Sequence, residues 1–324
     1  MTRSIITSTR QVERFSPRVS ELLTMLTYRR PSGSKEERAF IDRFLKPLGV
    51  LPDEYGNQWL TVGNDSPILW SSHTDTVHTS GGKQKVLYGA GFASVEDSNC
   101  LGADCTVGVW LMINMIRAGV PGTYVFHVDE EVGGRGSDYI ATTTPERLAG
   151  FQFAIAFDRK GYNEIITHQF GGRTASDAFA KSLAEVLKPL RYQPSNGGTF
   201  TDTANYCEII PECTNIGVGY FNQHSGSESL DIGFSERLLD QLLIADMSRL
   251  TCSRTPHLDD YDDLLTGSHG DMWMKEFRSP YSLESYVKQY PREAAAFLET
   301  LGYDQNDLES WVWNQYNQRY NSFE

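Results

Sequence analysis

Four apolar runs in this chain end on, or shortly before, a histidine or a carboxylate, and helical patterns lie between them. Leu69-Trp70-Ser71-Ser72 runs into His73, Thr123 to Asp129 into Glu130-Glu131, and Phe151 to Phe157 into Asp158; Thr214 to Gly219 is followed by His224. Strands buried on both faces read as near-continuous apolar runs, because neither face meets water. Runs of this kind alternating with helical segments predict an α/β fold whose mostly parallel sheet is covered on both sides. Such sheets gather their ligands at the carboxyl ends of the strands, which is where these polar residues fall.

The intervening segments fill in the layers. Ser16-Pro17 reads as an N-cap and first helical residue, opening a helix through Leu22, Leu23 and Leu26 to Arg30. Ser34, with Glu37 three residues on, opens a second helix carrying Phe40, Ile41, Phe44 and Leu45 on one side. Further helices are expected over Gly102 to Ala118, Gly171 to Lys188 and Phe234 to Leu250, and a Gly-rich connection from Ser80 to Gly91. The expected architecture is one three-layer α/β/α domain over 1–255, its sheet mixed but mostly parallel. Past Pro256 an acidic run, Asp259 to Asp263, leads into short segments rich in Trp and Tyr. Residues 256–324 are therefore read as an acidic linker and a small helical appendage, with aromatics suited to packing, to a partner or to a homo-oligomer contact.

The polar residues themselves suggest metal chemistry. In an extended segment, side chains two apart leave the same side, so His73 and Asp75 emerge together. A carboxylate behind a ligating imidazole fixes its tautomer and orientation; the same pair also fits a strand end with two solvated residues. Asp104 falls in a first helical turn, where the dipole and free N–H groups keep a carboxylate ionised. Adjacent Glu130 and Glu131 point in different directions, so one can bind a cation while the other faces a substrate.

Composition removes several function classes. A net charge of −13 over 324 residues provides no clustered Lys and Arg for phosphate backbones or for an anionic membrane face. No run approaches the ~18 consecutive apolar residues of a spanning helix, and Met1 to Phe15 has no apolar leader core. Five cysteines without a repeating spacing fit a reducing, cytoplasmic setting better than a disulfide framework.

The ordered series His73-Thr-Asp-Thr-Val77, Gly102-Ala-Asp104, Asp129-Glu-Glu-Val-Gly-Gly134, Phe157-Asp158 and His224 with Glu228 trailing it resembles the co-catalytic di-zinc exopeptidases, the superfamily of leucyl-type aminopeptidases, peptidase T and glutamate carboxypeptidase. The likeness extends over roughly Ser34 to Leu250. It implies two divalent ions, zinc by family, with Asp104 bridging, His73 and Asp158 completing one position, and Glu131 and His224 the other. It implies Glu130 as general base, Asp75 as the residue that orients His73, and a short peptide as substrate. It also implies a cis peptide after Asp104, although Cys105 stands where relatives often carry Asp, Asn or Gly.

The turn from Gly198 to Thr203, the strand ending at Gly219 and an Asp rather than Glu at 158 are similar to the aminopeptidase branch. The interval from Asp158 to His224 must already hold a helix, a turn and a strand, which argues against the inserted lid of the deacylase branch. An aminopeptidase or dipeptidase is the leading expectation. Arg159, Lys160 and Arg173 cut against a general aminopeptidase, since any of them in the cleft can hold a C-terminal carboxylate and turn the enzyme towards dipeptides; a carboxypeptidase or an N-acyl-amino-acid deacylase, with the same metals and a different pocket, is the alternative. A metal-binding interaction protein without catalysis is the alternative of a different class; the unpaired Glu130 beside a ligand argues against it.

Overall fold

The structure is a computed structural model describing residues 4–6, 15–170 and 172–256. The appendage expected over 256–324 lies, apart from Pro256, outside the described residues, as do its proposed partner contacts.

Eight strands make the central sheet: β1 (Leu51–Pro52), β2 (Gln58–Val62), β3 (Ile68–His73), β4 (Gly122–His127), β5 (Phe153–Arg159), β6 (Glu164–Ile166), β7 (Gln193–Ser195) and β8 (Glu212–Gly217). Their spatial order is β7-β6-β8-β5-β3-β4-β2-β1. The middle four, β8, β5, β3 and β4, are mutually parallel, and antiparallel pairs flank them. A mostly parallel mixed sheet is thus what the alternation of apolar runs and helices specifies.

Period-two alternation assigns the strand residues to two cores. Trp70, Tyr124, Phe126, Phe153, Ile155 and Phe157 face helices α1 (Pro17–Met25), α3 (Ala103–Ala118) and α6 (Ile232–Ile244). Leu69, Val125, Ala154 and Cys213 face the other way, onto Ile140 of α4 (Arg135–Thr143) and Tyr206. Two cores on opposite faces of one sheet make the three layers. Trp70 and Phe157 stack at 5.6 Å under α3. A Cβ at Gly108 would collide with Phe157 O, Cys105 Sγ and Ser72 Oγ, so α3 lies directly on the ends of β3 and β5.

Several boundaries differ from the sequence expectation, each for an identifiable reason. The first helix stops at Met25, because Tyr28–Arg29 pairs with Gly82–Lys83. Ser34 caps α2 (Lys35–Phe40), and a π-turn over Ile41–Leu45 extends it, still burying Phe40, Ile41, Phe44 and Leu45. The segment from Ser80 to Gly91 is more than a connection: Val86–Gly89 and the following Phe92–Val95 join a second, five-stranded sheet with Ser4–Ile6, Tyr220–Phe221 and Ser229–Asp231. Helix α5 begins only at Asp177 and runs to Val186, since Gly172–Arg173 folds back on His168–Gln169 and Ser176 supplies the cap. Between Asp158 and His224, β6, β7 and β8 belong to the central sheet, His168–Gln169 and Gly172–Arg173 pair as a two-stranded hairpin, and Tyr220–Phe221 joins the five-stranded sheet.

Candidate metal centre

The parallel strands deliver their polar ends to one cleft. His73 is the last residue of β3, Asp158 lies near the end of β5, and Glu130-Glu131 leave the turn after β4. Asp129 makes that turn at φ 62°, and His224 also sits in the left-handed region at φ 60°. Such backbone in residues other than glycine persists only where the surroundings enforce it. Here Tyr55 Oη donates to Asp129 Oδ2 at 2.9 Å, and Ser32 Oγ donates to Oδ1.

Asp104 stands at the centre with its two oxygens facing different partners. Oδ1 lies 3.1 Å from His73 Nε2, which is also 3.4 Å from Asp158 Oδ1. Oδ2 lies 3.3 Å from His224 Nε2, which is 3.1 Å from Glu131 Oε2. Glu130 approaches from the side, its Oε2 4.0 Å from His73 Nε2. The five ligands that the resemblance implies and Glu130 thus meet in one place.

Asp75 works from below. Its carboxylate accepts the N–H groups of Glu130 (3.2 Å) and Glu131 (3.1 Å), and its Oδ1 lies 3.5 Å from His73 Nδ1. The backbone oxygen of Asp75 is nearer to that nitrogen, at 3.1 Å. One residue therefore braces both the imidazole and the acidic turn.

The electrostatics follow from burying so many acids together. Burial pushes Glu130 well above the usual carboxylate range, with Asp158 and Asp202 adding to it against the pull of His73. Burial and then Asp104 raise Glu131, and the same two causes push Asp158 up to about 8. Hydrogen bonds to Asp104 and Glu131 push His224 up to about 10. Burial would lower His73, but Asp158 and Asp104 outweigh it and hold the imidazole well above its ordinary value. Protons are drawn to this cluster because negative charge is concentrated where water cannot screen it.

Divalent cations would answer the same need, and the donor set suits them. Imidazole nitrogens and carboxylate oxygens within 4.8 Å of one another occur as Asp104, Glu131 and His224 and as His73, Glu130 and Glu131, while His73 and Asp158 group with the Cys105 thiol. Glu131 Oε1 is buried with no hydrogen-bond partner among the described residues. An orphaned carboxylate oxygen of this kind is costly unless something binds it. Cys105 lies near His73 and Asp158 as well, but its Sγ donates to Phe157 O at 2.9 Å. It is held as a buried thiol. The peptide between Asp104 and Cys105 is cis.

Several supporting residues carried no assignable role in the sequence. Glu228 is buried, and its carboxylate accepts four successive backbone N–H groups: Oε2 from Leu101 (2.7 Å) and Gly102 (2.8 Å), Oε1 from Ala103 (2.8 Å) and Asp104 (3.1 Å). The free N–H groups at the start of α3 thus go to Glu228, and Asp104, at φ −73° and ψ 107°, is turned out of the helix towards the histidines. Replacing Glu228 by Ala would leave those donors without their partner, and a destabilisation of about 3 kcal/mol or more is expected, read as a lowered midpoint in thermal or urea unfolding. An unchanged midpoint would show that water replaces the carboxylate.

Arg30 and Glu37 brace the segment after His73. Arg30 is buried with its guanidinium 4.0 Å over the Phe40 ring; Nε donates to Thr74 O at 2.7 Å and Nη1 to Thr106 Oγ1 at 3.0 Å. Glu37 accepts Thr74 Oγ1 at 2.6 Å and the Gly33 N–H at 2.7 Å. Around Asp158, Thr201 Oγ1 donates to Oδ2 at 2.6 Å and Asn215 Nδ2 to the backbone oxygen at 2.9 Å. His127, buried at the end of β4, lies 2.6 Å from Tyr206 Oη and 3.1 Å from Asp202 Oδ2. No disulfide joins any of the five cysteines, and no helix among the described residues is long and apolar enough to cross a membrane.

No protein-family model and no curated protein matches the sequence. Solved structures do match the fold. Aminopeptidase PepT from Bacillus cereus superposes with a TM-score of 0.57 at 16% identity, covering 72% of this chain and 98% of that one. A tripeptidase from Staphylococcus aureus gives 0.58 at 14% identity, covering 70% and 96%. The TET1 peptidase from Pyrococcus horikoshii, which can assemble into a tetrahedron or a large octahedral shell, gives 0.53 at 16% identity, covering 71% and 99%. In agreement with the resemblance carried by its motifs, this chain has the fold of these aminopeptidase and tripeptidase structures.

Proposed function

We propose that the protein is a metal-dependent exopeptidase that releases N-terminal residues from short peptides. One observation carries the reading: the two oxygens of Asp104 face two separate histidine–carboxylate pairs, as a bridging ligand must. His73, Asp104 and Asp158 would hold one divalent ion, and Asp104, Glu131 and His224 the other, with zinc the best match to nitrogen and oxygen donors. Such a pair of ions, when bound, lowers the pKa of water and polarises a carbonyl, so no Ser or Cys nucleophile is needed.

The chain's own residues do the rest. Glu130 sits beside the ligand cluster with a raised proton affinity. It takes a proton from the attacking water and returns one to the amine nitrogen as the C–N bond breaks. Asp75 keeps Glu130 and Glu131 in place through their N–H groups. Five cysteines with no disulfide among them suit a reducing compartment.

A second reading, a carboxypeptidase or deacylase, is favoured by Arg159 and Lys160 in the wall of the cleft. The two are separated by a pair of tripeptides with free carboxylates, one bearing a free amine and the other N-acetylated. The zinc-loaded protein is expected to cleave the first and to leave the second essentially intact. Cleavage of the acetylated peptide, whether or not the free-amine peptide is also cleaved, would promote the second reading instead. Binding of metal without turnover of either peptide would support the non-catalytic alternative.

A further inference from the structure

The cleft over the metal ligands has a second wall, and it carries positive charge. Among the described residues lining it, Arg159 and Lys160 are the cationic side chains apart from the histidine. They follow Asp158 directly, and all three line the same cleft, although strict alternation would send the adjacent strand residues Asp158 and Arg159 to opposite sides. A register irregularity between Ala156 and Arg159, where β5 meets β8, releases them from that alternation. Irregularities of this kind next to a site re-aim side chains.

The two cations differ in what already holds them. Arg159 Nε and Nη2 lie 2.9 and 2.8 Å from Glu164 Oε2, and Nη2 also donates to Gly197 O at 2.9 Å. Glu164 in turn accepts Ser195 Oγ at 2.8 Å, so that pair is a structural clamp. Lys160 is exposed in the cleft and makes no ion pair among the described residues. The four carboxylates in the wall, Asp104, Glu130, Glu131 and Asp158, balance two divalent ions. Lys160 shares the field of Glu164, which Arg159 already pairs, so a net positive charge is left on this wall and favours an anionic group on the ligand.

Distance restricts which group that can be. Lys160 follows Asp158 by two residues, just past the end of the strand, so their Cα atoms lie at most about 7 Å apart. One or two residues of substrate beyond the scissile bond cover a similar span, at ~3.5 Å each. We propose that Lys160 binds the free C-terminal carboxylate of a peptide lying across Asp104 and His224, which makes di- and tripeptides with an unmodified C-terminus the preferred substrate class. The proposal rests on the exopeptidase reading for its substrate, and its test separates the two.

The zinc-loaded protein is assayed on trialanine and on trialanine amide. Wild type is expected to favour the free acid about tenfold to a hundredfold in kcat/KM, mainly through KM, as a charge-assisted hydrogen bond supplies. Lys160→Met is expected to close that gap to within about twofold, the loss falling on the free acid, and Lys160→Arg to retain it. Equal turnover of both peptides by wild type, or a gap that survives Lys160→Met, overturns the proposal. Calorimetry with phosphinic dipeptide analogues bearing or lacking the carboxylate reads the same contact without turnover. Should neither peptide be cleaved, the exopeptidase reading falls and the calorimetry decides: tighter binding of the carboxylate analogue by wild type but not by Lys160→Met upholds the anchor, and equal binding rejects it.

Discussion

Glu130→Gln is expected to purify with the same metal content as wild type and to lose about 10²–10⁴-fold in kcat, because it removes proton transfer and leaves the ligands alone. Glu130 lies 4.0 Å from His73 Nε2, farther than the Asp104 and Asp158 contacts at 3.1 and 3.4 Å. Glutamine preserves shape and the backbone N–H that Asp75 accepts, so the acidic turn stays where it is. KM should change little, since the substrate-binding wall is untouched. Retention of near-wild-type kcat, or loss of metal from this variant, would mean that Glu130 is a ligand or a bystander.

Asp104→Ala should act differently and more broadly. It deletes the one carboxylate shared by both histidine pairs, and metal analysis is expected to show less than one bound ion per chain, with activity at background. The two histidines would also lose their common partner, keeping Asp158 beside His73 and Glu131 beside His224. If Asp104→Ala retained two ions while Glu130→Gln lost them, the assignment of roles at this site would be reversed.

Much of this was legible because burial leaves a period in the sequence. Trp70 and Leu69, or Ile155 and Ala154, fall on opposite faces by simple alternation, and a strand with both faces covered has to end where its polar residues begin. Ser16 and Ser34 announced their helices because an N-cap acts within three residues, as the bonds from Val19 and Glu37 show. The residue identities of the centre were readable for a related reason: His73, Asp104, Glu130, Glu131, Asp158 and His224 each sit in a short motif at a strand or helix end.

What was not legible depends on contacts between residues far apart in the chain. Glu228 was visible as an acid trailing His224, but its partners are backbone groups more than 120 residues earlier, and backbone groups leave no mark in a sequence. Arg30 reads as the polar end of a helix; instead the chain turns at Thr27 and buries its guanidinium under Thr74. The segment from Ser80 to Gly91 looks like a loop because its glycines suggest one. Pairing of Val86–Gly89 and Phe92–Val95 with each other, and of the latter with Ser229–Asp231, overrides that local signal.

The central claim is that Asp104 joins two metal positions into one hydrolytic site, and titration of chelator-stripped protein tests it most directly. Zinc is added stepwise while release of the N-terminal residue from trialanine is followed alongside bound metal. Stripped protein is expected to be inactive, with turnover appearing as the second ion binds and reaching its plateau at two per chain. Full activity in the stripped protein, or two bound ions with no release of the N-terminal residue, would contradict the account.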